Sequence, residues 1–82
     1  MRIGIVSGEY PPQQGGIGAY SQILARTLAG QGHSVRVFSR YDALEDYPAV
    51  SLTAVARRWG PLDLRALAGW ARDNRLDVLN IQ

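Results

Sequence analysis

The first apolar run, Arg2 to Ser7, sets Ile3, Ile5 and Val6 with almost no polarity between them. Such a run predicts a strand covered on both faces, as in a parallel sheet. From Ile17 the period lengthens: Ile17, Tyr20, Ile23, Leu24 and Leu28 recur at helical spacing, with Gln22, Arg26 and Gln31 on other faces. Tyr20 is therefore expected in the core. Gly30 and Gly32 predict the helix stop, because a residue past a helix end often needs a left-handed conformation. Val35, Val37 and Phe38 supply a second strand over Ser34 to Ser39, completing a βαβ unit.

Arg40 to Ala49 is polar, with Asp42, Glu45, Asp46 and Pro48, and reads as a loop with room for one helical turn. Val50, Leu52, Ala54 and Ala56 then alternate with Ser51, Thr53 and Val55, which predicts an edge strand with one wetter side. Gly60-Pro61 announces a second helix, since proline suits the first helical position. Its expected apolar stripe is Leu64, Leu67, Ala68 and Ala71, and Asn74 its stop. Asp77 to Gln82 reads as a last strand. The order β-α-β-β-α-β predicts an α/β, Rossmann-like fragment: one partial domain over 1–82, with a mostly parallel sheet ordered 3-2-1-4 and two main helices.

Such a sheet looks cut rather than finished at its last strand. The edge along Val78 to Ile81 holds no proline or lysine to blunt it, so pairing with another chain is expected. The simplest closed form is a two-fold homodimer with the last strands antiparallel across the axis.

Composition narrows the function classes. At 82 residues, the chain buries only roughly 60–65% of its unfolded surface. It is 46% hydrophobic and 20% charged, ordinary for a globular domain. All nine basic residues are arginine, scattered from Arg2 to Arg75 with Arg57-Arg58 the one adjacent pair, and the net charge is +2. Nucleic-acid binders cluster their charge, so no nucleic-acid partner is expected. Without cysteine there is no disulfide framework, and with one histidine no metal site is expected. No apolar stretch approaches the roughly 20 residues that span a bilayer, and no signal peptide is apparent. A cytoplasmic location is expected.

The chemistry gathers between the first strand and the first helix, in Glu9-Tyr-Pro-Pro-Gln-Gln-Gly-Gly-Ile-Gly-Ala-Tyr20. Gly15, Gly16 and Gly18 open the helix. Unpaired N–H groups and the positive end of the helix dipole suit an anion there, and the missing Cβ atoms let a phosphate or sugar approach the backbone. A Walker loop is excluded, because no Gly-Lys-Ser/Thr follows and the chain has no lysine. Gly16-Ile-Gly18-Ala-Tyr-Ser21 falls one residue short of the dinucleotide fingerprint. Its glycines do not follow the strand at once, and Ser39-Arg40 stand where an acidic residue would hold a ribose. Arg40 could instead meet a 2′-phosphate, which keeps a small NADP-binding protein as one alternative.

Four segments carry a family resemblance: Arg2-Ile-Gly-Ile-Val-Ser, the Glu9–Tyr20 loop, Gly32-His-Ser-Val-Arg-Val, and Asp77-Val-Leu-Asn-Ile-Gln. Together they make the chain resemble the N-terminal domain of GT-B glycosyltransferases of the retaining family 4. The resemblance spans nearly the whole chain, is most specific in the first forty residues, and between Arg40 and Asn74 extends only to element order. It implies a cleft in which the backbone of Gly15 and Gly16, with Ile17 and Gly18 as further N–H donors, approaches the diphosphate of a sugar-nucleotide donor and part of a hydroxyl acceptor. The leaving diphosphate gains charge that oriented N–H groups stabilise. It also implies that the main donor contacts belong to a second domain, so that this portion is inactive alone, with no cofactor beyond the nucleotide-diphosphate sugar and no catalytic residue assigned within it.

Glu9 and Gln82, at strand ends where α/β sheets bind ligands, are candidate acceptor contacts. His33, in the turn before the second strand, reads as structural, and Trp59 and Trp70 as packing anchors. The rival from another class is a non-catalytic Rossmann-like module for assembly or partner binding.

Overall fold

A computed structural model describes residues 1–8, 10, 11 and 16–82, and of Ile17 the backbone alone. Six elements follow in the expected order: β1 (Arg2–Val6), α1 (Gly16–Gly30), β2 (Ser34–Arg40), β3 (Val50–Ala56), α2 (Pro61–Asp73) and β4 (Val78–Ile81). The sheet runs β3-β2-β1-β4, and every pair is parallel. Ile3 stands opposite both Val35 and Val78, so side chains of the three strands fall on common faces. β3 is an edge strand, as its alternation predicted, and shifts register by one residue near Ser39 and Arg40.

Each face has its own core. On one, Ile3, Ile5, Val35, Val37 and Val50 meet Ala25 of α1, together with Tyr10 and Ala43 from loops. On the other, Val6, Phe38 and Ala56 meet Trp70 of α2, with Leu67, Ala71 and Leu76 partly buried around them. Trp70 and Trp59 are the packing anchors their sequence positions suggested: their rings lie 5.3 and 5.9 Å from that of Phe38. Gly4 makes this close approach possible. A Cβ there would collide with Leu76 Cδ1 and stand 3.1 Å from Trp70 Cη2.

α1 does not bury the face its large residues marked. Tyr20 is 56% exposed and Ile23 64% exposed, whereas Gly18, Ser21 and Ala25 are buried. Small residues on that face let the helix sit close to the sheet, and the larger ones are turned outward. Leu24 and Leu28 remain partly buried at the margin. In α2 likewise, Leu64 and Ala68 are exposed and the contact shifts to Leu67, Trp70 and Ala71.

α1 ends as predicted at Gly32, whose φ of 93° is left-handed. The N–H of His33 donates to Leu28 O (3.3 Å) and that of Gly32 to Ala29 O (3.1 Å), which closes a Schellman motif. His33 thus takes the structural place expected of it, with its ring 3.4 Å from the Met1 amino group. At the end of α2, Asn74 caps Trp70 O with both its backbone N–H (3.1 Å) and its side-chain amide (2.7 Å), but the left-handed residue is Arg75.

The crossover from β2 to β3 is unusual. Parallel strands are ordinarily joined through a helix and a dozen or more residues, yet residues 41–49 return the chain with turns only. Glu45 organises this segment. Its buried carboxylate accepts from Tyr10 Oη (2.5 Å), from Arg26 of α1 (2.7 Å), and from the N–H groups of Asp46 (3.0 Å) and Tyr47 (3.1 Å). Leu44 N–H donates to Pro11 O (2.8 Å), which ties the crossover to the loop after β1.

Candidate functional site

The chain moves outward from β1 through β2 to β3, then returns beneath the sheet by α2 to place β4 on the other side of β1. Ligands of open α/β sheets bind where strand order reverses, outside the carboxyl ends. That place is the end of β1 and β4. A cleft of about 190 Å³ opens there, lined by Val6, Gly8, Trp59, Ile81 and Gln82. The N–H of Gln82 donates to Val6 O (2.8 Å), and its side-chain amide donates to Asn80 Oδ1. Gln82, singled out from its place after the last strand, therefore does lie in the cleft.

A buried serine network fixes the approach of α1. Ser21 Oγ donates to Ser7 Oγ (3.1 Å), Ser39 Oγ donates to Ser7 O (2.8 Å), and Ser7 N–H donates to Phe38 O (3.1 Å). Ser21 stands where the dinucleotide fingerprint has its third small residue, and it serves the same end of close helix–strand contact. Because Ser21 is held at Ser7, the preceding turn, Gly16 to Gly18, projects from the carboxyl end of β1. Gly16 is exposed, and a Cβ there would meet nothing within 4 Å. Gly18 is buried. Glu9 and Gly15 lie outside the described residues.

The two helix starts differ in charge. The first turn of α1 holds no acidic residue. That of α2 holds Asp63, whose Oδ2 accepts the N–H groups of Arg57 (3.0 Å), Arg58 (3.0 Å) and Trp59 (2.8 Å). Those bonds, the one from Arg57 foremost, hold its carboxyl below the usual range. They draw residues 57–60 into a tight turn in which Trp59 takes a φ of 56°. Asp63 escaped the sequence reading. The available signal was an acidic residue in the first turn after Gly60-Pro61, a position that favours a carboxylate.

Arg40, considered for a 2′-phosphate, lies 3.5 Å from Asp42 and over the Tyr41 ring. Among the described residues, no three His, Asp or Glu side chains gather as a metal would require, and no helix is long and apolar enough to cross a membrane. Comparison with models of known protein families gives no match, and comparison with curated proteins gives none either.

Proposed function

We propose that this chain supplies the acceptor and diphosphate side of the cleft of a cytoplasmic, retaining, sugar-nucleotide-dependent glycosyltransferase. The observation that carries the reading is the meeting of Gly8 and Gln82 in one cleft at the β1–β4 reversal, with α1, whose first turn carries Gly16 and Gly18, tied to the same end of β1 through Ser21 and Ser7. The charge of the two helix starts supports it further: the first turn of α1 carries no acidic residue to offset the positive end of its dipole, whereas that of α2 carries Asp63. In this reading Gly15, Gly16, Ile17 and Gly18 form the diphosphate contact, and Glu9 and Gln82 face the acceptor hydroxyl.

A half-site should bind weakly. We expect nucleoside diphosphates to bind with Kd near millimolar, about −4 kcal/mol. Gly16→Val should weaken this at least tenfold, because its branched side chain would occupy the ligand's space. The fold should survive, since Gly16 is exposed and a Cβ there would meet nothing within 4 Å. Calorimetric titration of both proteins checks it, and equal affinity would refute the placement.

The assembly reading has an observation of its own. Every residue of β4 is exposed, Ile81 by 70%, and the strand forms one edge of the sheet. Parallel strands are normally covered on both faces. Antiparallel pairing of β4 with a second copy would join two sheets into one. Light scattering at micromolar concentration should then give about twice the 9.0 kDa chain mass, and Leu79→Pro should return it to the monomer. A folded wild-type monomer would exclude the dimer.

A further inference from the structure

A second cleft, of about 440 Å³, lies on the other side of the 57–60 turn and is lined by Arg57, Arg58, Gly60, Pro61, Leu62 and Asp63. Trp59, between the two arginines and Gly60, lines the β1–β4 cleft instead. The turn is thus a shared wall. The carboxylate of Asp63 is engaged by backbone N–H groups, so it does not neutralise the neighbouring guanidinium groups through ion pairs. Among the described residues, neither Arg57 nor Arg58 forms a salt bridge, and both are exposed. The Arg57 guanidinium is steadied over the Tyr41 ring at 4.8 Å, and Arg40 lies over the same ring at 5.8 Å. Beside these charges the cleft is apolar: Pro61 lines it, and Leu62 is 80% exposed.

Two guanidinium groups without a carboxylate partner among the described residues, one of them stacked on an aromatic ring, line this cleft, and arginine binds a phosphate ester through paired N–H donors. The adjacent apolar wall suits a ligand whose phosphate is joined to a less polar body. We infer that the Arg57–Arg58 corner is a subsite for a phosphate ester, and that the group it receives belongs to the acceptor whose hydroxyl reaches the β1–β4 cleft. The anion subsite stands on its own geometry; assigning its ligand as the acceptor rests on the transferase reading. Two sources share this chemistry. One is a soluble phosphate ester, the other a phospholipid headgroup whose chains would lie against Leu62.

The test uses the full chain with two probes, glycerol 3-phosphate in solution and vesicles containing phosphatidylglycerol, with phosphatidylcholine vesicles as the control. Amide shifts in residues 57–63 should follow one probe, and the Arg57→Gln/Arg58→Gln double variant should weaken that binding at least tenfold. Arg58→Gln alone, which leaves the stacked Arg57 in place, should lose a smaller part and guards against a folding failure of the double variant. Response to glycerol 3-phosphate identifies a soluble ester; response to phosphatidylglycerol vesicles alone identifies a headgroup. No response to either probe, or equal binding by the variants, overturns the subsite. Binding at 57–63 while nucleoside diphosphates leave Gly8 and Gly16 unmoved retains the subsite and removes its assignment to an acceptor.

Discussion

Trp70→Ala should cost about 3–5 kcal/mol, the usual range for removing a large buried aromatic side chain. Trp70 is 9% exposed and is the one buried residue of α2. It packs on Phe38 at the centre of its face and over Gly4 of β1. The other members of this contact, Leu67, Ala71 and Leu76, are only partly buried and cannot replace it. A domain of this size has about 4–12 kcal/mol of total stability, so the loss is a large fraction. α2 also delivers the chain to β4, so its detachment should release the β1–β4 cleft first. Denaturant titration should show the midpoint falling sharply, and amide exchange should show α2 and β4 losing protection before β1 and β2. A loss below about 1 kcal/mol would mean that α2 is held by something other than this ring.

Glu45→Ala should cost about 1–3 kcal/mol, because the buried Tyr10 hydroxyl loses its bond to this carboxylate and the crossover loses the bonds that organise it. Burial alone would raise the carboxyl pKa. The bonds from Arg26 and Tyr10, with the Tyr47 N–H, outweigh that and hold it below the ordinary value. The partner Tyr10 hydroxyl is pushed upward, first by its burial and then by the same carboxylate. A depressed folded-state pKa contributes stability above the unfolded value, about 4.3 for glutamate, and that stability is lost as pH falls through the folded value. Asp63 acts in the same direction. Urea midpoints should therefore hold between pH 7 and 5 and decline below about pH 4.5. In Glu45→Gln the decline should be shallower, with the remainder due to Asp63 and other carboxylates. An equally steep decline in that variant would contradict the role given to Glu45.

The parts of the fold legible in the sequence were those fixed by local chemistry. β3 announced itself as an edge through alternation, α1 its end through Gly32, and α2 its start through Gly60-Pro61. The strand order then followed from β-α-β-β-α-β and the pairing rules of α/β sheets. What stayed hidden depends on partners distant in sequence. Hydrophobic spacing marked Tyr20 and Ile23 for the core, but the sheet accepts Gly18, Ser21 and Ala25, because close approach there rewards small side chains over large ones. Glu45 looked like one more charge in a polar loop. Its role needs Tyr10 and Arg26, 35 and 19 residues away, and no periodicity reports that. Within the candidate site, Gln82 was legible from the strand-end rule and Trp59 only as a packing residue. That Trp59 also walls the β1–β4 cleft follows from the turn around Asp63.

The central claim, that the start of α1 and the β1–β4 reversal form a diphosphate site, is tested most directly by following backbone amide shifts while nucleoside diphosphates are added. The account predicts saturable changes gathered at Gly8, Gly16, Ile17, Gly18 and Gln82, absent in Gly16→Val. Changes confined to other regions, undiminished in that variant, or produced by NADP and not by nucleoside diphosphates would contradict it.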